Sequence, residues 1–309
     1  MNTLREAIHD YLVLRRDLGF KLVQTERWLR NYATFMEGQD ASSITIELAL
    51  QWAVQPQNAH PSYWAKRLIA LRCFARHRRA TDPCTEVPAQ GLLPYRPLRA
   101  KPYLYTEEEI QRLMAAAKTL PPRNGLRGWT YYCLLGLLAV TGLRISEALA
   151  LKRDDVDLSE GLLTIREAKF AKSRLVPLHP STQEVLGKYA QQRDAYPGSR
   201  SAYFLVSEKG ASLDASTIRQ TFCELSRQIG LRGPKDHIGP RLHHFRHRFA
   251  VEVLLRWYRS GEDVEQRLPV LSTFLGHARV RDTYWYLSAC PELMGQAARR
   301  LEQRWGISS

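Results

Sequence analysis

The amino-acid sequence predicts a mostly α-helical protein with a small β-sheet, organised as two domains. Apolar residues recur at helical spacing through the N-terminal part of the chain, and prolines interrupt this pattern between Pro83 and Pro102. Two short apolar runs, at 161–165 and 174–178, have the length of β-strands. A chain of 309 residues also favours two domains, because single hydrophobic cores rarely grow beyond about 250 residues.

Four helices are predicted before the prolines. Each has an apolar face, and a glycine or a proline stands near the end of each of the first three. Ser62 is the predicted N-cap of the fourth helix. The predicted limits are Leu4 to Gly19, Trp28 to Gly38, Ile44 to Val54 and Ser62 to Arg79.

The proline-rich stretch predicts an extended linker, because proline cannot continue a helix. Thr106 and Glu109 form a capping-box pattern ahead of a new apolar face, so a second domain begins there. We therefore predict an N-terminal helical domain at 1–95, a linker at 96–104 and a second domain at 105–309.

The second domain is predicted to combine helices with one β-hairpin. The apolar run Trp129–Val140 forms a buried helix that Gly142 ends, and Ser146 caps the next helix. A polar turn joins the two strand-like runs into the hairpin. After the last candidate site residue, Pro291 can begin a final helix with an apolar stripe. That stripe consists of Leu293, Met294, Ala297, Leu301 and Trp305.

The charge balance indicates a polyanionic partner. Lysine and arginine outnumber aspartate and glutamate by 45 to 31, which gives a net charge of +14 and favours nucleic acid. The fourth helix alone carries six basic residues, which form either a solvated face or a set of phosphate contacts. They are Lys66, Arg67, Arg72, Arg76, Arg78 and Arg79.

Other features of the sequence predict a cytoplasmic protein with no membrane role. The five cysteines are scattered and lack a C-x-x-C spacing, which is typical of reduced thiols and not of a disulfide framework or zinc site. The N-terminus lacks a signal-peptide pattern. The longest apolar run, Trp129–Val140, is too short to cross a bilayer.

A set of polar residues in the second domain predicts chemistry on a phosphodiester. Arginine presents a planar fork of donors to the non-bridging oxygens, which gain negative charge when a nucleophile attacks. Histidine and lysine can transfer protons, and tyrosine can hold the phosphate covalently. The combination predicts cutting and rejoining of DNA strands. The candidate catalytic residues are Arg144, Lys169, His243, Arg246, His277 and Tyr286.

The spacing of these residues supports a shared site. His243 and Arg246 are three apart, so one helical face can deliver both to one phosphate. Glu147 stands three residues after Arg144 and is expected to orient an active-site arginine through hydrogen bonds. His243 and His247 also have a spacing found in metal sites. No third ligand stands near them, so no metal is predicted.

The motifs resemble those of the tyrosine recombinase (phage integrase) family. The resemblance rests on Thr141–Leu151, His243–Ala250 and Leu275–His277, with Tyr286 nine residues after the last histidine. It implies a helical core-binding domain and an α+β catalytic domain that together clamp duplex DNA. It also implies that Tyr286 is the nucleophile, and that His243 takes the tyrosine proton or bonds the phosphate.

The general acid is expected in the turn of the hairpin. A lysine at the tip can reach the minor groove and protonate the departing 5′ oxygen, which is otherwise a poor leaving group. Counting back from the strand at 174–178, the family's lysine aligns with Lys169. Lys172 stands in the same turn and competes for the role.

The resemblance implies a site-specific recombinase of a mobile element or phage. Such an enzyme forms a 3′-phosphotyrosine link that conserves the energy of the broken bond, so it needs no ATP, divalent metal or other cofactor. The expected partner is double-stranded DNA with paired recombination sites, bound by a homotetramer, alone or with sister recombinases. The final helix docks either on its own domain or on a neighbouring protomer. A type IB topoisomerase and a non-catalytic DNA-binding accessory protein are the alternatives.

Overall fold

The computed structural model describes residues 3–95, 102–168, 172–196, 201–236 and 238–305. The chain forms two structural units, Met1–Ala100 and Lys101–Ser309. Helices dominate the described residues, and three short strands form one antiparallel sheet. The predicted fold class, mostly α with a small β-sheet, is confirmed. None of the described helices has both the length and the apolar character needed to cross a membrane.

The N-terminal unit is built from four helices around one hydrophobic core. Leu29, Tyr32 and Trp52 are fully buried in this core, and the rings of Tyr32 and Trp52 meet edge to face. The first helix begins with a capping box between Thr3 and Glu6. The helices are α1 (Leu4–Asp17), α2 (Val23–Gly38), α3 (Ile46–Val54) and α4 (Pro61–Arg78).

Three helix starts differ from the prediction: α2 begins at Val23, five residues before the predicted Trp28, and α3 and α4 differ for local reasons. Helix α3 begins two residues later than predicted, because the Thr45 hydroxyl accepts a hydrogen bond from the backbone N–H of Leu48 at 3.2 Å. Ser62 is not the N-cap of α4. The imidazole of His60 caps this helix by accepting from the N–H of Ser62, and Pro61 occupies the first turn, where no N–H is needed.

Half of the basic residues on α4 are not a solvated face. Arg67, Arg72 and Arg78 are all less than a tenth exposed. The guanidinium of Arg67 lies 4.1 Å from the centroid of the Trp52 ring, and Arg72 donates to two carbonyl oxygens of the segment after α4. These three arginines therefore stabilise the unit itself. The exposed basic residues are Lys66, Arg76 and Arg79.

The C-terminal unit begins with the predicted capping box, in which the Thr106 hydroxyl and the Glu109 carboxylate each accept a backbone N–H of the other residue. Nine α-helices follow among its described residues. They are α5 (Glu107–Lys118), α6 (Leu126–Thr141), α7 (Ile145–Ala150), α8 (Pro180–Ala195), α9 (Ala215–Gln228), α10 (His243–Arg259), α11 (Val264–Leu275), α12 (Arg281–Ala289) and α13 (Pro291–Trp305).

The predicted hairpin forms the main part of a sheet with strand order β1-β2-β3. Leu163 pairs with Val176 and Ile165 pairs with Arg174, and the three apolar members of these pairs are buried. The strands extend closer to the turn than predicted. They are β1 (Val156–Asp157), β2 (Leu162–Ala168) and β3 (Lys172–Pro177).

Two apolar clusters hold the C-terminal unit together. The larger one joins α5, α6 and the sheet, and the smaller one joins the last four helices, α10 to α13. Leu254 and Leu268 are fully buried in the smaller cluster, and Tyr286 and Leu293 belong to it as well. The candidate nucleophile therefore sits on a helix that is packed from several sides.

Candidate active site

Two glycines in left-handed conformations turn the chain where the candidate residues converge. Gly142 ends α6 with a φ of 61°, and Gly276 ends α11 with a φ of 66°. A Cβ at Gly142 would lie 2.7 Å from the ring of Phe249, so a side chain is excluded there by space as well as by conformation. The two turns direct Arg144 and His277 toward the same point.

Arg144 is held by contacts from two parts of the chain. Its Nη1 donates to Oε1 of Glu147 at 2.7 Å, and its Nη2 donates to the carbonyl oxygen of Gly276 at 2.8 Å. The backbone N–H of Arg144 also donates to Glu147, so Arg144, and not Ser146 as predicted, occupies the N-cap of α7. The Arg144 side chain keeps 25% of its surface exposed, which leaves room for a ligand.

Glu147 also holds a second arginine, Arg174, which is not among the candidate residues predicted from the sequence. Arg174 donates to both carboxylate oxygens of Glu147, at 3.1 and 2.9 Å, and its Nε donates to the carbonyl oxygen of Phe274 at 2.7 Å. Burial by itself raises the pKa of Glu147. The hydrogen bonds and positive charges of Arg174 and Arg144 outweigh burial, so the pKa is lowered and the carboxylate is ionised at neutral pH.

Arg246 lies deeper than Arg144, with 1% of its surface exposed. It donates to the carbonyl oxygens of Gly142, at 2.9 Å, and of Leu275. Burial lowers the pKa of Arg246 to about 10, and the adjacent Tyr286 opposes that shift. The guanidinium therefore stays charged at neutral pH. A buried charge that is bonded mainly to carbonyl oxygens is suited to attract an anion.

His277 is oriented by a hydrogen bond between its Nδ1 and the Thr283 hydroxyl, 2.7 Å apart. Burial, followed by the charges of Arg246 and Arg144, lowers its pKa to about 4, so the ring is neutral at pH 7. With Nδ1 engaged, Nε2 is the nitrogen left to face a ligand.

Tyr286 lies within this group of side chains and is 2% exposed. Its ring is parallel to that of His277, with centroids 5.9 Å apart, and meets the ring of His247 at 5.4 Å. Tyr284, two residues earlier on α12, is 47% exposed and does not share these contacts. The register of α12 thus places Tyr286, and not Tyr284, next to Arg246.

His243 and His247 occupy one face of α10, with ring centroids 4.7 Å apart. His243 keeps part of its surface exposed, and desolvation of the rest of its ring together with the charges of Arg246 and Arg144 lowers its pKa. Burial lowers that of His247 to about 3, and the Nδ1 of His247 is buried with no hydrogen-bond partner in the described parts of the chain. Among the described residues, no three His, Cys, Asp or Glu side chains are arranged to hold a metal ion.

The structure brings most of the candidate residues together. Those that meet around one point are Arg144, His243, Arg246, His277 and Tyr286, with Glu147 beside Arg144. Lys169 lies outside the described residues. Its competitor Lys172 begins β3 and pairs with Ala168 across the hairpin. The assignment of the general acid therefore stays a prediction.

Arg174 could have been found from the alternation of the strand that carries it. Successive side chains of a strand point to opposite faces, so Arg174 shares a face with the fully buried Val176 and not with Leu175, which is 59% exposed. An arginine on the inward face of a strand needs a carboxylate partner. The identity of that partner, Glu147, depends on the tertiary structure.

Comparison with known proteins identifies the family. Residues 104–292 match the model of the phage integrase family, which is more than half of the chain. The chain belongs to the phage integrase family. One relative, named "Putative integrase/recombinase y4rB" and found in Sinorhizobium fredii, is 54% identical over 99% of each chain. This family member is accordingly a tyrosine-type site-specific recombinase that acts on DNA.

Solved structures of other recombinases share the fold of this integrase-family chain. The Tn1549 transposon integrase in complex with transposon right end DNA is 14% identical, covers 99% of this chain and 100% of its own, and gives a TM-score of 0.68. A lambda integrase tetramer bound to a Holliday junction is 17% identical over 92% of this chain and 77% of its own, with a TM-score of 0.62. At such low identity these matches support the fold alone.

Proposed function

We propose that this recombinase cuts and rejoins DNA strands through a covalent 3′-phosphotyrosine intermediate on Tyr286. The observation that carries the proposal is the position of Tyr286 beside Arg246 and His277, in a pocket that also receives Arg144. A phenol beside a charged guanidinium group can ionise and attack at neutral pH, although a free tyrosine has a pKa of about 10.

The scissile phosphate is proposed to bind between Arg144 and Arg246. Attack produces a pentavalent phosphorane whose non-bridging oxygens carry extra negative charge, and two guanidinium forks match that charge. His277 and His243, which are neutral at pH 7, can donate hydrogen bonds to the same oxygens or take the phenol proton. Removing one donor of this kind costs roughly 3–4 kcal/mol of transition-state stabilisation.

The leaving 5′ oxygen requires a proton, and we propose Lys169 as its source. In the sequence this lysine stands between β2 and β3, and Arg174 on β3 donates to Glu147, which also accepts from Arg144. When the strand is rejoined the same lysine takes the proton back, because the two directions share one transition state. The phosphotyrosine link conserves the bond energy, so the proposed cycle uses neither ATP nor a metal ion.

Assembly on DNA is proposed to involve four protomers on paired recombination sites, alone or with sister recombinases. The lambda integrase, with which this chain shares its fold, is a tetramer on a Holliday junction. Residues 1–95 are proposed to be the core-binding domain, with 96–104 as a linker and 105–309 as the catalytic domain. The exposed Lys66 and Arg76 on α4, and Arg79 directly after it, are available for phosphate contacts. We propose that the protein belongs to a mobile element and acts in the cytoplasm.

The test of the proposed function uses a nicked suicide substrate. After cleavage, the short fragment with the 5′ hydroxyl diffuses away, so the strand cannot be rejoined and the covalent adduct accumulates. Wild-type protein should form the adduct, and Tyr286→Phe should bind the same DNA but form none, because only the attacking oxygen is lost. Tyr284→Phe is the matched control and should form the adduct at a normal yield. An adduct of normal yield with Tyr286→Phe would place the nucleophile elsewhere.

A second assay separates the alternatives. A recombinase resolves a synthetic Holliday junction made from paired inverted sites, whereas a type IB topoisomerase relaxes supercoiled DNA without needing paired sites. An accessory protein does neither and forms no adduct. Efficient relaxation of plasmids that lack the sites would favour the topoisomerase.

A further inference from the structure

Glu147 lies between two arginines that differ in accessibility. Its Oε1 accepts from Nη1 of Arg144 at 2.7 Å and from Nη1 of Arg174 at 3.1 Å, and its Oε2 accepts from Nη2 of Arg174 at 2.9 Å. The Arg174 side chain is 9% exposed, that of Glu147 is 7% exposed, and that of Arg144 is 25% exposed. Arg174 is therefore the inner arginine of the three-residue row and Arg144 the outer one.

The formal charges of this row favour anion binding at its outer end. Two guanidinium groups and one ionised carboxylate sum to +1 (+2 − 1). Without Arg174, the carboxylate would face Arg144 alone and the sum would be zero. Charges inside a protein are screened far less than in water, so this difference reaches nearby groups. The charge of Arg174 acts on the ring of His277, whose pKa is lowered first by burial and then by the surrounding arginines, Arg174 among them.

Arg174 also fixes the backbone that carries the next groups of the site. Its Nε donates to the carbonyl oxygen of Phe274 at 2.7 Å, at the end of α11. Two residues later the carbonyl oxygen of Gly276 accepts from Arg144 at 2.8 Å. A Cβ at Gly276 would lie 2.6 Å from the Arg174 guanidinium, so the two residues are in direct contact.

We propose that Arg174 is a positioning residue for phosphate binding: it shares Glu147 with Arg144 and so leaves the outer guanidinium available, in charge and in orientation, for the scissile phosphate. The inference rests on the proposed function, in which Arg144 binds that phosphate. Arg174 itself does not touch the DNA. It acts through Glu147 and the end of α11.

The experiment compares two suicide substrates, one with a normal scissile phosphodiester and one with a methylphosphonate, in which a methyl group replaces a non-bridging oxygen and removes its charge. Arg174→Gln should slow adduct formation on the phosphodiester by about 10- to 100-fold, as expected for a residue that orients a catalytic group. On the methylphosphonate its deficit should be several-fold smaller, because less charge has to be matched. An equal deficit on both substrates would overturn the proposal and leave Arg174 a purely structural residue.

Two further variants separate charge from folding. In Glu147→Gln/Arg174→Gln the row again sums to +1, so the double variant should recover part of the phosphodiester rate that Arg174→Gln loses. If the double variant recovers none of this rate, the net charge of the three residues is not what Arg174 contributes.

Arg174→Lys keeps the positive charge of Arg174 but not its planar fork of donors. It should be slower than wild type with a nearly unchanged ratio of the two substrate rates. If Arg174→Gln does not fold, this ratio becomes the test, and a strongly changed ratio in Arg174→Lys overturns the proposal.

Arg144→Gln distinguishes failure of the inference from failure of the proposed function. If Arg144 binds the phosphate, its own deficit should shrink on the methylphosphonate. A deficit that is equal on both substrates would contradict the proposed function itself. If Arg144→Gln behaves as expected and Arg174→Gln does not, only the inference about Arg174 is wrong.

Discussion

The imidazole of His277 stacks on the phenol ring of Tyr286, with centroids 5.9 Å apart and ring planes 19° from parallel. The Thr283 hydroxyl, one turn before Tyr286 on α12, holds the Nδ1 of the same imidazole at 2.7 Å. The helix that carries the nucleophile therefore also orients the histidine. A movement of α12 that brings Tyr286 out of its buried position would shift both groups together.

The neutral histidines predict how stability depends on pH. His247 and His277 have pKa values of about 3 and about 4 in the folded protein, chiefly because burial disfavours the charged rings, against 6.5 for an unperturbed histidine. As the pH falls below about 6.5, the unfolded chain binds protons that the folded protein does not, so the free energy of unfolding falls toward pH 4. The contribution is present above pH 6.5 and is lost as the pH approaches the folded values.

Urea unfolding at pH 7.5 and pH 5.0 tests this dependence. His247→Gln should reduce the difference in unfolding free energy between the two pH values, by up to about 1 kcal/mol once solvent screening of the partly exposed ring is allowed for. His9→Gln, at an exposed position on α1, is the control for the loss of one histidine. An unchanged pH difference in the His247 variant would contradict the low pKa.

Substitution of the two hairpin lysines should identify the general acid. Lys169→Ala should slow cleavage of an ordinary phosphodiester by roughly 100- to 10,000-fold, the usual contribution of a positioned acid. In a substrate with sulfur in place of the 5′ bridging oxygen, the leaving group is a thiolate and needs no proton. The same variant should therefore cleave this substrate at close to the wild-type rate. Lys172→Ala should show little difference between the two substrates. Rescue of Lys172→Ala by the thiolate would move the general acid by three residues.

Gly276→Ala should impair cleavage without preventing folding. Its φ of 66° is strained for alanine, and the new Cβ would lie 2.6 Å from Nη1 of Arg174. We expect adduct formation to fall by about tenfold or more, because the Arg174 and Arg144 contacts must shift. Gly295→Ala on α13, where a Cβ meets nothing within 4 Å, is the control and should keep the wild-type rate. Equal rates for both variants would show that the contact at Gly276 does not matter.

The final helix has two surfaces with different expected roles. Leu293 is 1% exposed, and Arg300 donates to three carbonyl oxygens near the end of α10 and after it, so this surface packs on its own domain. Met294 and Trp305, from the same predicted stripe, are 57% and 68% exposed. Met294 and Trp305 are therefore not packed on their own domain, and they are the part of α13 open to a neighbouring protomer.

The corresponding prediction concerns cooperative binding. Met294→Ala/Trp305→Ala should leave binding to a single site nearly unchanged but weaken cooperative filling of paired sites by about tenfold, which corresponds to about 1.4 kcal/mol of interaction. Gel-shift titrations on one-site and two-site DNA measure both quantities. Glu302→Ala, at an exposed position on the same helix, is the matched control. Full cooperativity in the double variant would mean that these side chains do not contact another protomer.

The sequence by itself determined the features that depend on neighbours a few residues away. The Thr106–Glu109 capping box, the end of α6 at Gly142 and the hairpin at 162–177 follow from hydrogen bonds and backbone preferences within one turn or one pair of strands. The candidate residues could likewise be chosen from their chemistry and their order along the chain. Local prediction failed where more than one nearby residue can cap a helix. At the start of α4, His60 is the N-cap and Pro61 occupies the first turn, so Ser62 is not the cap.

The tertiary structure alone decided which distant groups meet. Arg144 donates to Gly276, 132 residues away, and Arg174 donates to Glu147, 27 residues away. Such pairs depend on how helices and strands pack, and the strand pattern at Arg174 indicates only that a buried partner is needed. The choice of Tyr286 over Tyr284 beside Arg246 has the same origin, because the packing of α12 on α10 and α11 fixes which face of the helix is buried.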